Sequence, residues 1–346
     1  MNQKGFLSAA KCFFVVSLFS GVTFAEAPSA PKPNSEMKKI LNEMKLKGGA
    51  PIESITAQEA RQQPTPADAV KSIMTDKEKK KEQEGFSKIE DKMVQGGAGE
   101  IPARFYVPEG KLPMPVIVYY HGGGFVIASN DVYDGSARAL AKGTKAIVVA
   151  VEYRKGPEHK FPAAHEDAFA AYKWVLGNAA SFGGDPKHIA LAGESAGGNL
   201  ALNVAIRARD EKIQMPVHEL LVYPVVGSNM ETMSYEKNKD AKPLNKPMMA
   251  WFMKNYLNSM EEAKDLRINL VAANLKGLPE TTIITAEIDP LQSEGKDLAD
   301  KMKQQGVKVN YKNYNGVTHE FFGMSSVLDE AKDAQKFAAR ELKESL

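Results

Sequence analysis

The sequence predicts an α/β chain with a mostly parallel central sheet, helices on both faces of it and a helical lid. Three features carry that expectation. Short, unbroken, β-branched runs alternate with helical stretches, as parallel strands buried on both sides do. Two glycine-rich turns, His121–Gly124 and Gly193–Gly197, each stand where such a run ends. The composition, 43% hydrophobic and 25% charged over 346 residues, suits a globular chain long enough to bury a large core, and it excludes wholesale disorder and a polytopic membrane protein.

Residues 1–25 read as a targeting segment. Lys4 and Lys11 flank its start, Cys12–Phe19 is apolar apart from Ser17, and small residues follow to Ala25. That is the charged, apolar and cleavage order of a secretory signal peptide. The apolar run is well short of the ~20 residues a membrane span needs. Cleavage after Ala25 is therefore expected, with no stable membrane insertion afterwards and an exported protein, periplasmic or secreted. The single cysteine, Cys12, excludes internal disulfides, thiolate zinc clusters and an internal redox pair. Losing Lys4 and Lys11 would leave 43 basic against 43 acidic side chains. Nothing in that balance suggests a nucleic-acid partner, which would want a clustered basic excess.

Residues 26–85 read as a linker and N-terminal helices. After Pro28, Pro31 and Pro33 comes an amphipathic helix with Asn34 or Ser35 as N-cap, Met37, Ile40, Leu41 and Met44 on one face, and Gly48 as its stop. Thr56 and Glu59 have the spacing of a capping box. The charge run 76–84 reads as the solvated end of a helix beginning near Pro66. From Phe86 the pattern turns to strands, with 86–95 and 100–107 flanking Gly96-Gly97 as a hairpin. Further strands are expected at 115–120, 146–153, 189–193, 219–223, 281–286 and 307–314, with helices at 162–177, 196–209 and 293–305 between them. Residues 227–266 exceed a simple connection and carry a helical pattern at 248–257, so they read as an inserted lid. Six of the 15 methionines fall there, at 230, 233, 248, 249, 253 and 260. They either line an adaptable apolar pocket or pack the lid onto the body.

The chemistry centres on Gly193-Glu194-Ser195-Ala196-Gly197. This G-x-S-x-G follows a strand and precedes a helix, where the glycines allow a strained turn with the serine hydroxyl at its apex. The Ala196 amide, at a helix N-terminus, then points toward any oxyanion formed there. In His121-Gly122-Gly123-Gly124, consecutive glycines let two backbone amides approach a reacting carbonyl with no side chain between. A phosphate loop is disfavoured, since no Lys-Ser/Thr follows these glycines. If the fold is that of an α/β-hydrolase, an acid and then a histidine must follow the serine along the chain. Only His218 and His319 do, and His218 leads into a strand with no intervening loop to supply the acid. His319 lies in a loop after the last strand. Asp289 and Glu287 both follow the strand at 281–286, and either could be the acid.

These stretches resemble the hormone-sensitive-lipase-like family of α/β-hydrolases, the bacterial family IV esterases. The resemblance rests on HGGGF (121–125), YRKGPEHKFPAAHEDA (153–168), GGDPKHIALAGESAGG (183–198), GLPETTIITAEIDPL (277–291) and GVTHEFFGM (316–324), and spans residues 86–346. It implies the α/β-hydrolase fold, with Ser195 as nucleophile, His319 as base and Asp289 as third member. It also implies oxyanion donors from Gly123, Gly124 and Ala196, with Gly122 forming the turn and the N-terminal helices and 227–266 forming a cap. Tyr153, Glu158 and Asp167 read as scaffold. Three departures stand out: Glu194 replaces the Asp or Thr of many relatives, Lys155-Gly156 replaces Leu-Ala, and Ser293 stands where an acid is often found. Glu194 should point away from the nucleophile. The activity implied is hydrolysis of short-chain carboxylic esters, small molecules, with no metal or organic cofactor. A peptidase or amidase on the same fold, and a binding protein that has lost activity, are the alternatives.

Overall fold

Period-two alternation in the apolar runs assigns successive side chains to opposite faces of one sheet. The computed structural model describes residues 1–2 and 30–346, so the expected signal peptide lies outside the described residues except for its first two. The strands are β1 (Phe86–Gly96), β2 (Gly99–Pro108), β3 (Met114–Tyr120), β4 (Ile147–Val151), β5 (Gly184–Glu194), β6 (His218–Val222), β7 (Glu280–Ile288) and β8 (Val309–Thr318). They lie in the order β1-β2-β4-β3-β5-β6-β7-β8. Only β2 runs against the others; from β4 to β8 every pairing is parallel.

The helices are α1 (Ser35–Lys47), α2 (Ala57–Ala60), α3 (Pro66–Ile73), α4 (Asp76–Gln83), α5 (Asp134–Thr144), α6 (Ala163–Asn178), α7 (Ala196–Asp210), α8 (Met233–Lys237), α9 (Lys246–Tyr256), α10 (Gln292–Gln304) and α11 (Asp329–Ser345). On β3, Val116, Val118 and Tyr120 join a core shared with α6 and α7. Ile117 and Tyr119, the residues between, join a second core with α5 and α11. The sheet is thus covered on both sides, as continuous apolar strands require.

Local signals set the N-terminal helices. Asn34 Oδ1 accepts the Met37 amide at 2.8 Å, and Gly48, at φ +75°, ends α1. The Thr56–Glu59 box is formed and starts α2. The single helix expected from Pro66 through the charge run is instead two. Met74 leaves the helical region at ψ 137°, and Thr75 with Glu78 makes a fresh capping box that starts α4. Helices α5 and α11 lie outside the sequence-derived pattern. Their buried faces mix small and polar residues (Ser136, Ala137, Arg138 and Ala141; Ala331, Ala334, Ala338 and Glu341) with one leucine each, so few large apolar side chains mark them.

Candidate active site

Strand β5 ends at Glu194 and α7 begins at Ala196, leaving Ser195 alone in the turn at φ 56° and ψ −119°. A non-glycine residue held at positive φ is costly unless its surroundings fix it. Here the Ser195 amide donates to the Val222 carbonyl at 2.9 Å, and its own carbonyl accepts the Val225 amide at 3.0 Å. The tight turn also needs its glycines. A Cβ on Gly193 would stand 2.1 Å from the Gly197 carbonyl oxygen, and one on Gly197 would stand 1.9 Å from that of Tyr120.

Strands β7 and β8 supply the other two members. His319 Nε2 lies 3.0 Å from Ser195 Oγ, and His319 Nδ1 lies 2.7 Å from Asp289 Oδ2. All three side chains are buried. The other Asp289 oxygen, Oδ1, accepts the Leu291 amide at 2.9 Å, which fixes the carboxylate. Burial opposes protonation of His319, but the charge and hydrogen bond of Asp289 outweigh it and hold its pKa above the ordinary histidine value. Glu287 is engaged elsewhere, its carboxylate accepting the Gly316 amide at 2.8 Å in the loop that carries His319. Asn238 donates to the backbone carbonyls of both Glu287 and Asp289, at 3.2 and 3.1 Å.

The His121–Gly124 turn comes off β3 beside Ser195. Tyr153 stacks on His121 at 4.4 Å and donates its hydroxyl to the His121 and Gly122 carbonyls at 2.8 and 3.1 Å. Gly123 and Gly124 take φ +94° and +60°. Among the described residues, the Gly123 and Gly124 amides have no protein acceptor. The Ala196 amide opens α7 and has none within its helix. The remaining scaffold residues hold backbone too. Asp167 accepts from the Arg154 and Gly97 amides, and Glu158 pairs with Arg61, which also donates to the Val126 and Gly156 carbonyls.

Ser195, His319, Gly123 and Gly124 open onto a cavity of about 840 Å³. Its walls come from the N-terminal segment, including Leu41, Met44 and Arg61, and from the segment around α9, including Leu244, Met248 and Phe252. Of the six methionines in 227–266, only Met248 lines this cavity. Met249 and Met253 are buried in the core, while Met233 and Met260 are exposed. The pocket-lining alternative therefore holds at a single position. Ser293 ties α8 to the Asp289 loop, its hydroxyl accepting the Ser234 amide at 3.2 Å.

Two carboxyls flank the serine and histidine, Glu194 buried and Glu320 18% exposed. Glu194 turns away from Ser195 and accepts the Tyr119 and Tyr223 hydroxyls at 2.6 and 2.5 Å. Burial pushes it up to about 7, against those donors. Glu320 accepts the Tyr133 hydroxyl at 2.5 Å and stands 3.9 Å from His319 Nε2; burial raises its pKa as well. Glu320, Tyr133 and Phe252 were not singled out from the sequence. Adjacency to His319 was the one signal available for Glu320.

A family profile described as alpha/beta hydrolase fold matches residues 117–323. The carboxylesterase NlhH of Mycobacterium tuberculosis is 37% identical over 265 residues, covering 75% of this chain and 83% of that protein. The ethyl acetate hydrolase of Pseudomonas putida is 30% identical over 251 residues, covering 71% and 79%. The solved structure of a hyperthermophilic esterase from the archaeon Pyrobaculum calidifontis aligns with a TM-score of 0.83 at 35% identity, covering 91% of this chain and 98% of that one. With this sheet order, this serine turn and these relatives, the chain belongs to the α/β-hydrolase-fold family, in its hormone-sensitive-lipase-like branch.

Proposed function

We propose that this chain is a serine carboxylesterase that hydrolyses short-chain carboxylic esters through an acyl-enzyme intermediate. The observation that carries the reading is the unbroken hydrogen-bonded line from Ser195 through His319 to Asp289, facing a cavity beside backbone amides that have no acceptor. Ser195 attacks the ester carbonyl as His319 takes its proton. Asp289 orients the imidazole and stabilises its charged form. The Gly123, Gly124 and Ala196 amides receive the tetrahedral oxyanion. His319 then protonates the departing alkoxide, and water, activated by the same nitrogen, releases the acid.

Two features support short acyl chains. The relatives include a hydrolase of ethyl acetate. In this chain the Phe252 ring packs against Gly124, narrowing the cavity beside the amides that would hold the ester carbonyl. Export is proposed from the leader pattern of residues 1–25, and N-terminal sequencing of protein recovered outside the cytoplasm should then begin at Glu26. Finding Met1 there instead would sink that part.

The deciding experiment is a panel of p-nitrophenyl esters from acetate to decanoate. The wild type should favour acyl groups of about two to six carbons, and Ser195→Ala or His319→Ala should each lower kcat by about 10⁴-fold or more. The double variant should be no worse than the poorer single one, because the two act as a unit. A wild type with no turnover on any ester would overturn the esterase reading and move the weight to the binding-protein alternative.

A further inference from the structure

His319 Nε2 faces two groups. Ser195 Oγ is 3.0 Å away, and Glu320 Oε1 lies 3.9 Å away on the next residue of the chain. A water oxygen at ordinary hydrogen-bond length from both Nε2 and Oε1 spans that 3.9 Å gap without strain. We propose that Glu320 is a positioning residue for deacylation: it accepts a hydrogen bond from the attacking water while His319 Nε2 takes the water's other proton. The inference rests on the esterase reading above and deepens it.

Three observations converge on this carboxyl. The Glu320 backbone is held at φ +73°, a conformation that glycine adopts freely and a glutamate does not, so the side chain is kept there against a local cost. Its Oε1 is clamped by the Tyr133 hydroxyl at 2.5 Å, which fixes the acceptor's place relative to the imidazole. Glu320 also stands in the partition between two cavities. On one side is the large cavity containing Ser195; on the other is a cavity of about 50 Å³ whose mixed lining includes Ser136, Glu194 and Tyr133 beside Val70 and Met74. Ser136 Oγ is buried there beside the Glu194 carboxyl and the Tyr119 hydroxyl, but makes no well-aligned hydrogen bond among the described residues. A cavity of that size, with the Ser136 hydroxyl and the Glu194 and Glu320 carboxyls in its wall, has room and partners for at least one water.

The step balances without a further reactant. The water oxygen forms its bond to the acyl carbon, one proton passes to Nε2, and the second stays on the oxygen, hydrogen-bonded to Glu320. Collapse breaks the bond between the acyl carbon and Ser195 Oγ. The Nε2 proton then returns to Oγ, and the carboxylic acid departs. Glu320 ends the cycle with the proton count it began with. In acylation by a p-nitrophenyl ester the same place holds an aryloxide oxygen, which has no second proton to offer. Glu320 therefore discriminates between the two half-reactions.

The test is pre-steady-state hydrolysis of p-nitrophenyl butyrate by wild type, Glu320→Gly and Glu320→Gln, each confirmed folded by its melting curve. Glycine suits φ +73°, so Glu320→Gly removes the carboxyl without straining the turn. Its deacylation should slow by about ten-fold or more. Then kcat and KM fall together, kcat/KM stays within about two-fold, and quenched enzyme carries a butyryl group on Ser195. Glu320→Gln, which keeps an acceptor oxygen, should recover part of the rate. Equal loss in kcat and kcat/KM would overturn the proposal and make Glu320 a modulator of the histidine in both half-reactions. Unchanged kinetics in Glu320→Gly would make the carboxyl structural only. Inactivity of the wild type on the ester would instead sink the esterase reading itself.

Discussion

The floor and the roof of the cavity are held in place by different means. The floor is a row of strand ends: the glycine turn leaves β3, Ser195 leaves β5, Asp289 follows β7 and His319 follows β8. Short bonds from backbone amides anchor it: Ser195 to the Val222 carbonyl, Leu291 to the Asp289 carboxylate and Gly316 to the Glu287 carboxylate. The roof joins two segments distant in sequence, and side chains do the joining. Trp251 Nε1 donates to the Ile55 carbonyl at 3.0 Å, and Arg61 reaches the Val126 and Gly156 carbonyls. The charge pairs there, Arg61 with the half-exposed Glu158 and Lys246 with the exposed Glu231 and Glu236, add little stability. Chemistry therefore rests on backbone geometry that tolerates few substitutions. Access rests on packing that can change one side chain at a time.

The largest effect that tests this contrast lies wholly in the floor. Asp289→Asn should lower kcat by about 10³–10⁴-fold, because an amide at Nδ1 neither enforces the required tautomer nor stabilises the imidazolium. Glu287→Gln retains an acceptor for the Gly316 amide and should stay within about three-fold of wild type. Measuring kcat for both on one p-nitrophenyl ester decides the matter. The reverse order would make Glu287 the acid and Asp289 a loop anchor.

The next effect lies where floor and roof touch. A Cβ on Gly124 would stand 2.2 Å from the Phe252 ring, and the residue sits at φ +60°. Gly124→Ala should therefore displace the amide or the roof, with a loss of about 10²–10³-fold in kcat typical of one missing oxyanion donor. Adding Phe252→Ala relieves the clash but not the φ, so the double variant should recover part of that loss. No recovery would place the whole effect in the floor's backbone and break the proposed contact between the two regions.

The floor was legible in the sequence for the same reason that it is rigid. Strained turns need particular residues in a row, so Gly193–Gly197 and His121–Gly124 each stand out as a short unbroken run. Where the choice was not local, the residues alone left it open. Asp289 and Glu287 lie two apart with equal chemistry, and what separates them is the Gly316 amide, supplied by a loop that only the fold brings near. The roof gave almost no signal. Leu41, Met44 and Arg61 reach the cavity from helices whose periodicity shows only that they have a buried face. Glu320 was hidden by its own backbone, since nothing in Thr-His-Glu-Phe announces a residue at φ +73°.

Within α9 the contrast between access and packing comes down to two methionines, and the smallest effect tests it. Met248 lines the cavity, while Met253, five residues on, is buried in the core against the body. Met253→Ala removes a packed side chain, which typically costs about 2–5 kcal/mol, and should lower the melting temperature while leaving the preferred acyl length unchanged. Met248, at 9% exposure against 4% for Met253, stands at the cavity edge of that core, so Met248→Ala opens space beside Phe252. It should cost less stability and shift the best kcat/KM toward longer or branched acyl groups by about ten-fold, since one methylene-sized contact in a hydrophobic pocket is worth about 1–3 kcal/mol. Melting curves and the acetate-to-decanoate series on both variants separate the roles. A shifted profile in Met253→Ala, or an unshifted one in Met248→Ala, would show that the roof selects through its overall position and not through the side chain that faces the substrate.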